Sequence, residues 1–104
     1  MGSGTLDVFA TPAMIALMEQ TAWKSVESEL EEGTGTVGTH LEVSHDAPTP
    51  LGMEVTCESV LTAVNGRELT FEVKAYDERG MIGKGIHKRF IIKEERFMEK
   101  ALRK

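Results

Sequence analysis

The spacing of the apolar residues changes at Gly33, and this change limits the possible folds more than any other feature of the sequence. Over residues 12–32, apolar residues recur every three or four positions, as they do along one face of an α-helix. The members of that face are Ile15, Met18, Ala22 and Val26, widened by Met14, Leu17 and Leu30. After Gly33, apolar and polar residues alternate, which is typical of strands. The sequence therefore predicts one long helix followed by a sheet, in the α+β class.

Turn signals divide the rest of the chain into four predicted strands, at residues 36–45, 53–64, 68–76 and 81–93. Pro48 and Pro50 place a loop after the first strand, because two prolines do not both fit a paired strand. Asn65–Gly66 predicts a type I′ hairpin after the second strand, and residues 77–80 predict a turn after the third. We expect a four-stranded antiparallel meander with the helix packed across it.

Alternation also predicts which side chains of each strand share the inward face. They are Val37, Leu41, Val43 and His45; Met53, Val55, Cys57, Leu61 and Ala63; Leu69, Phe71, Val73 and Ala75; and Ile82, Ile86, Phe90 and Ile92. The charged tail, residues 94–104, is predicted to form a short helix that carries Phe97, Ala101 and Leu102. Residues 1–8 are expected to be loose.

The length of 104 residues predicts a single domain, residues 1–104, with one core. Twelve Lys and Arg against 17 Asp and Glu give a net charge of −5, whereas nucleic-acid-binding proteins usually have a basic surplus. No apolar run reaches the roughly 18 residues that span a membrane. Cys57 is the single cysteine, so no disulfide can form within the chain and a reducing cytoplasm is the expected location. We therefore expect no nucleic-acid or membrane partner.

Glu19 is the most informative polar residue, because its neighbours on the predicted helix are all apolar. Ile15, Ala16, Ala22 and Trp23 stand three or four positions from it. A carboxylate in such surroundings is partly desolvated, which makes it a better general base near neutral pH. The ordinary alternative is that Glu19 lies at the edge of the apolar face and directs its carboxylate into water.

Two more polar residues stand where predicted elements begin or end. Thr11 precedes Pro12, which is favoured at the first helical position, so Thr11 is predicted to be the helix N-cap. The start of a helix also suits a polarised carbonyl or an oxyanion, because unpaired N–H groups collect there. His45 has inward parity at the end of its strand, and it is either a site residue or a core histidine bonded to the backbone.

The one short basic cluster, residues 84–89, is too small for a nucleic-acid duplex but large enough for one phosphorylated small molecule. Strand parity sends Lys84 and Lys88 to one face and Arg89 to the other. His87 lies within this cluster, and His40 has the parity of a surface residue. The three histidines share no metal-binding spacing, so no metal site is expected.

Six short segments, in this order and at this spacing, resemble the hotdog-fold thioesterases of the fluoroacetyl-CoA thioesterase type. They are VFATP (8–12), ALME (16–19), VGTH (37–40), VSHDAPTP (43–50), GM (52–53) and GIHKR (85–89). The resemblance runs from about Val8 to Phe97. It implies a hotdog fold, in which a long central helix packs on an antiparallel sheet, and a homodimer or higher homo-oligomer that hydrolyses a small acyl-CoA thioester.

The resemblance also implies roles for particular residues. The family's catalytic Thr, Glu and His fall on Thr11, Glu19 and His45, and its Gly and Arg beside the acyl group fall on Gly38 and Arg89. In this chemistry the Glu activates water or attacks the thioester directly, and CoA is part of the substrate, so no cofactor is expected.

The basic cluster gains a possible ligand from the same resemblance. Lys84, Lys88 and Arg89 are candidates to bind CoA phosphates, although parity does not place them on one face.

Two departures from the family pattern affect these expectations. Members usually carry an additional N-terminal segment with a first strand, which is missing here, so we expect an open sheet edge or a rearranged dimer. The fluoroacetyl-specific enzyme also has an aromatic lid just before the VFATP segment, where this sequence has Thr5. A general acyl-CoA substrate is therefore expected rather than fluorine selectivity.

The spacing of Thr11 and Glu19 suggests a site shared by two chains. They are eight positions apart, which is about 12 Å along a straight helix. One acyl carbon cannot touch both, so either the helix starts later or Glu19 meets Thr11 of a partner chain across a two-fold axis. We favour the second arrangement.

Two other functions fit the same fold. A non-catalytic hotdog protein would bind acyl-CoA or only dimerise, and the missing strand makes this alternative serious. A hydratase is the third possibility, but the Asp/His pair that it would use on a loop is not evident.

Overall fold

The computed structural model describes residues 8–103, and it confirms one central helix on a four-stranded antiparallel sheet. The elements are α1 (Thr11–Val26), a short 3-10 turn (Glu27–Glu29), β1 (Thr34–His45), β2 (Thr56–Asn65), β3 (Glu68–Asp77), β4 (Gly80–Lys93) and α2 (Glu94–Leu102). The charged tail forms the predicted helix, α2. Of the residues expected to be loose, 1–7 lie outside the described part, and Val8 forms an isolated bridge with Pro50.

Helix α1 is shorter than predicted, because it ends at Val26 rather than at residue 32. The hydroxyl of Ser25 donates to the carbonyl of Ala22 at 2.7 Å, and such local bonds compete with the helical backbone pattern. Acidic residues follow at 27 and 29, where the negative end of the helix disfavours them. Gly33 lies beyond this end with a φ of 81°, in the turn that leads into β1.

The strand order is β1-β4-β3-β2, so the expected meander is wrong at its first connection. β2, β3 and β4 do follow one another as neighbours, but β1 pairs with β4 at the far side of the sheet. A tight hairpin needs two to five residues, whereas residues 46–55 can extend to about 33 Å. Crossing three strand spacings takes about 14 Å, so this loop is long enough to reach the opposite edge.

A β-bulge in β1 changes which of its side chains face α1. Thr39 has no partner in the register, because Gly38 pairs with Arg89 and His40 pairs with Lys88. The alternation is therefore offset by one residue at this point. Val37 pairs with Phe90 on the outer face, so its predicted inward position is wrong.

Bulges in the other strands have the same effect. Ile82 is unpaired in β4, and Thr62 is unpaired in β2. Ile82 is buried as predicted, but Ile86 and Phe90 beyond it are 37% and 39% exposed on the outer face. Ala63 likewise leaves the inward face of β2, since it follows the unpaired Thr62.

The hairpin between β2 and β3 is confirmed, but its turn type differs from the prediction. Asn65 pairs with Glu68, so Gly66 and Arg67 form a two-residue loop. Gly66 has a φ of 63°, and no described non-glycine residue has a positive φ. A type I′ turn needs positive φ at both central residues, whereas a type II′ turn needs it at the first alone. The turn therefore follows the type II′ pattern.

The core lies between α1 and the inner faces of β2 and β3. The helix contributes four residues spaced four apart, and β3 contributes all four of its predicted inward side chains. These buried residues are Met14, Met18, Ala22 and Val26 of α1 and Leu69, Phe71, Val73 and Ala75 of β3. Among residues 8–103, no helix combines the length and the apolar character that crossing a membrane requires.

Candidate active site

The structure joins Thr11 to His45, which are 34 residues apart in sequence. The Thr11 hydroxyl oxygen lies 2.7 Å from Nδ1 of His45. Thr11 is the first residue of α1, and the N-cap position belongs to Ala10, which makes no side-chain capping bond. The N-cap prediction for Thr11 is therefore wrong, and its hydroxyl is directed to the histidine instead.

Backbone and side-chain bonds hold these two residues in place. The N–H groups of Asp46 and Ala47 donate to the carbonyl of Ile82, which fixes the chain just after His45. Phe9 donates from its N–H to the carbonyl of Thr49, which ties the chain before Thr11 to the same loop. The segment ahead of α1 and the loop that follows β1 are therefore bonded to each other.

A buried threonine anchors that loop to the β3–β4 turn. Thr49 is 1% exposed and donates its hydroxyl to the Asp77 carboxylate at 2.9 Å. The same carboxylate accepts from the N–H groups of Arg79 and Gly80. The Arg79 N–H, then the Thr49 hydroxyl, hold the pKa of Asp77 below its usual value. Asp77 is therefore a charged acceptor that supports the loop after His45.

His45 keeps one ring nitrogen available. Its Nε2 is buried and has no hydrogen-bond partner among the described residues. A buried polar atom of this kind costs free energy until a ligand or a water fills the position. His45 can therefore exchange a proton with a molecule bound beside Nε2 while Nδ1 stays on Thr11.

Glu19 meets Gly38 and Arg89 rather than Thr11. A Cβ atom added to Gly38 would lie 3.1 Å from Oε2 of Glu19 and 3.5 Å from Nη1 of Arg89. The guanidinium Nη1 is 3.9 Å from Oε2 of Glu19. The side chain of Glu19 is 40% exposed, so its carboxylate lies against β1 and β4 and is open to a ligand on its other side.

Arg89 is buried beside Glu19, and hydrogen bonds hold its guanidinium in place. It is 7% exposed, and its Nε donates to the Thr36 hydroxyl at 2.7 Å while its Nη2 donates to the Thr36 carbonyl at 2.9 Å. Nη1 lies 3.1 Å from Nε2 of His87. Burial lowers the pKa of Arg89, and the nearby Glu19 carboxylate opposes that change. The guanidinium of Arg89 is thus held in place by Thr36, His87 and Glu19.

Lys88 is not brought to these residues. It lies on the outer face of β4, opposite to Arg89 as parity predicted, with its Nζ 3.8 Å from the Glu68 carboxylate. Lys84 is also exposed, on the parity of Lys88 and opposite to Arg89. Within one chain the predicted site residues therefore form two groups, Thr11 with His45 and Glu19 with Gly38 and Arg89.

Thr36 and His87 complete the surroundings of Arg89, and neither had a predicted role in the site. His87 has the same strand parity as Arg89 on β4, and this shared parity was the available signal. Thr36 faces Arg89 because of the bulge at Thr39, which the sequence does not reveal. Within the described part of the chain, no three His, Cys, Asp or Glu side chains are grouped closely enough to hold a metal ion.

An open cleft gives access to Glu19 and Arg89 from the exposed side of α1. Its volume is about 640 Å³. Small or flexible residues of the helix form one wall, namely Ala13, Ala16, Leu17 and Gln20, and Trp23 closes one end. A carboxylate and a buried guanidinium therefore line a cleft that a small polar group can enter.

A helix cradled by an antiparallel sheet, with a carboxylate on the helix and a threonine–histidine pair at its start, is the arrangement that the resemblance implied for a hotdog-fold thioesterase. The model of the fluoroacetyl-CoA-specific thioesterase family matches residues 1–95. This chain belongs to that family, which confirms the resemblance found in the sequence.

Individual relatives agree with this assignment. The fluoroacetyl-CoA thioesterase of Streptantibioticus cattleyicolor is 41% identical over 98 residues, which are 94% of this chain and 70% of the relative. A solved structure of the fluoroacetyl-CoA thioesterase FlK is 40% identical with a TM-score of 0.93, over 97% of this chain and 75% of that one. A hot-dog-like protein from Thermanaerovibrio acidaminovorans is 27% identical with a TM-score of 0.88, over 93% and 72% of the two chains. The predicted hotdog fold is confirmed.

Proposed function

We propose that this protein hydrolyses a small acyl-CoA thioester to the free acid and CoA. The observation that supports this most directly is the Glu19 carboxylate, held over Gly38 beside a buried guanidinium and open to a cleft. Two of the three named relatives are fluoroacetyl-CoA thioesterases, so an acyl-CoA is the substrate class that fits. Thr5, where the fluoroacetyl-specific enzyme has an aromatic lid, lies outside the described residues.

In the proposed reaction Glu19 acts on the thioester carbon. It either takes a proton from water as the water attacks, or attacks directly and forms an anhydride that water then cleaves. In both routes the C–S bond breaks and the thiolate of CoA leaves with a proton. Water is the only co-substrate, so the proposal includes no cofactor, and Arg89 stabilises negative charge beside Gly38.

Thr11 and His45 supply the second part of the proposed site. Pro12 has no N–H, and the N–H groups of Ala13 and Met14 donate to the carbonyl of Ala10. Among residues 11–14, Thr11 therefore offers the donors for a polarised thioester carbonyl. His45 orients the Thr11 hydroxyl through Nδ1 and exchanges a proton through Nε2.

The two parts come together in the proposal through a homodimer or a higher homo-oligomer. Thr11 and Glu19 are on one helix, about 12 Å apart along its axis, and contact different residues of their own chain. Ala13 and Ala16 on the cleft wall allow a second helix to approach closely. Glu19 of one chain would then face Thr11 and His45 of the partner. The expected compartment remains the cytoplasm, because the one cysteine needs no oxidising environment.

A thiol-release assay on acetyl-CoA and longer acyl-CoAs tests the reaction. We expect Glu19→Gln to lose at least about 100-fold in turnover, because a positioned base contributes about 10²–10⁴. Glu29→Gln is the matched control, since Glu29 is an exposed carboxylate just beyond the same helix. Near-normal turnover in Glu19→Gln would remove Glu19 from the mechanism. Binding of CoA by calorimetry without thiol release would favour the non-catalytic alternative.

Mixed oligomers test the shared site. Thr11→Ala and Glu19→Ala are each expected to be inactive, but a mixed dimer places one intact Thr11 opposite one intact Glu19. We expect partial recovery of thiol release after the two variants are unfolded and refolded together. Absence of recovery, in samples shown to contain the heterodimer, would favour a site within one chain.

A further inference from the structure

His87 is a buried histidine that the proposed reaction does not use directly. It is 1% exposed, in the centre of the sheet on β4. Its ring stacks on Phe71 with centroids 6.3 Å apart. Nδ1 lies 2.9 Å from the carbonyl oxygen of His40, and Nε2 lies 3.1 Å from Nη1 of Arg89. Both ring nitrogens are therefore occupied by named partners.

The chemistry of those partners fixes the tautomer of His87. A carbonyl oxygen can only accept a hydrogen bond, and a guanidinium can only donate. Nδ1 must therefore carry the proton, and Nε2 must offer its lone pair to Arg89. Only the neutral ring with hydrogen on Nδ1 satisfies both contacts at once.

The Nη1 group of Arg89 connects this ring to the catalytic carboxylate. Thr36 binds Nε and Nη2 of Arg89, which leaves Nη1 for His87 on one side and Glu19 on the other. The same Nη1 is 3.9 Å from Oε2 of Glu19, and the Cε1 atom of His87 would lie 3.2 Å from a Cβ atom on Gly38. His87 thus contacts the group that faces Glu19 without itself lining the open cleft.

We propose that His87 is a positioning residue, whose neutral ring holds Nη1 of Arg89 beside Glu19 and Gly38 and so keeps the carboxylate in its reactive place. This inference rests on the proposed hydrolysis by Glu19. It assigns to His87 an effect on turnover that passes through Arg89, with no contact to the substrate.

Protonation of His87 would break this arrangement. The charged and titratable groups that face it are Arg89 on the same strand, Glu19 from α1 and His40 from β1. Burial is the main reason that the pKa of His87 is lowered, and the Arg89 charge lowers it further, against the opposing effects of the His40 carbonyl and Glu19. The neutral ring therefore persists to a lower pH than the ring of an ordinary histidine. Once Nε2 is protonated, two donors face each other and Arg89 loses its acceptor.

Two substitutions separate the two bonds of His87. The amide oxygen of His87→Gln reaches about as far as Nε2 and can accept from Arg89. The shorter amide of His87→Asn reaches about as far as Nδ1, so it can donate to the His40 carbonyl but leaves Arg89 without its acceptor. We expect His87→Asn to lose about tenfold to a hundredfold in kcat with a smaller change in KM. A factor of this size corresponds to the loss of one hydrogen bond to a charged group. His87→Gln should keep most of the turnover.

Nitrogen NMR of the imidazole ring provides a readout that is independent of activity. We expect His87 in the unsubstituted protein to be neutral with its proton on Nδ1, and Arg89→Met to raise its pKa. A proton on Nε2, or an unchanged titration in Arg89→Met, would overturn the inference, as would an unchanged kcat in His87→Asn. If His87→Asn does not fold, the NMR measurements on the unsubstituted protein and on Arg89→Met test the inference by themselves. Failure of the unsubstituted protein to hydrolyse any acyl-CoA would instead refute the proposed function, and the ring measurement would still report on the Arg89 contact.

Discussion

Replacing Gly38 with alanine tests whether Glu19 acts where the structure places it. The added Cβ would lie 3.1 Å from Oε2 of Glu19 and 3.2 Å from Cε1 of His87. Ordinary contacts begin near 3.4 Å, so the carboxylate must move by about 0.3 Å. A misplacement of about 1 Å can cost about 100-fold in rate. If the logarithm of the rate falls in proportion to the displacement, 0.3 Å corresponds to a loss of about fourfold. With His87 displaced as well, we expect a loss of about fourfold to tenfold in kcat.

The same substitution should change stability much less than activity. Gly38 does not have a positive φ, and alanine in a strand is favoured over glycine by about 0.5–1 kcal/mol, which opposes the cost of shifting His87. The melting temperature should therefore stay within a few degrees of that of the unsubstituted protein. The assay is thiol release from acetyl-CoA, with thermal unfolding followed by circular dichroism on the same samples.

Gly35→Ala is the matched control on the same strand. Its added Cβ would approach Oε1 of Glu94 at 3.4 Å, which is an ordinary contact away from Glu19. We expect this variant to have the turnover of the unsubstituted protein. Equal turnover in Gly38→Ala and Gly35→Ala would refute the placement of the reacting carboxylate over Gly38.

Two further predictions concern stability. Met18→Ala should lower the free energy of unfolding by about 2–5 kcal/mol, because Met18 is fully buried between α1 and the sheet. The control is Gln20→Ala, on the exposed side of α1, which should change the free energy of unfolding by less than about 0.5 kcal/mol. Urea titrations measure both. Asp77→Asn should destabilise the protein near neutral pH, and the difference in stability between the two proteins should shrink below about pH 4. The reason is that the pKa of Asp77 is lower in the folded state than in the unfolded state. The stability that the charged carboxylate contributes is therefore present above the unfolded pKa and is lost on acidification. A difference that grows toward acid would contradict the placement of Thr49, Arg79 and Gly80 around that carboxylate.

Much of the fold could be predicted because periodicity reports local structure directly. The change of spacing at Gly33 separated helix from sheet, and all four predicted inward residues of β3 are buried. The exact end of α1 could not be predicted, since local contacts such as the bond between Ser25 and the Ala22 carbonyl are not visible in the apolar spacing. The pairing of β1 with β4 could not be predicted either, because loop length permits a crossing without requiring it.

The sequence could propose residues for the candidate site one at a time, but it could not give their arrangement. Glu19 and His45 were identified by an apolar neighbourhood and a strand end, both of which are visible in sequence. The bond between Thr11 and His45 joins distant residues, and a helix start gives no sign of it. The single unpaired residue Thr39 is what turns both Gly38 and Leu41 inward, and a bulge leaves no reliable trace in an alternating pattern.

The place of β4 in the sheet has a consequence for how the protein is made. Of the four described strands, this one is the last to leave the ribosome, yet it is inserted between β1 and β3. Until residues 80–93 are present, β1 lacks its neighbour among the described strands and Glu19 lacks the Arg89 guanidinium beside it. Completion of the sheet and placement of Arg89 beside Glu19 are thus a single late event. Such long-range pairing makes folding slow compared with a helical bundle of equal length, and a nascent chain stalled before β4 would have an incomplete centre.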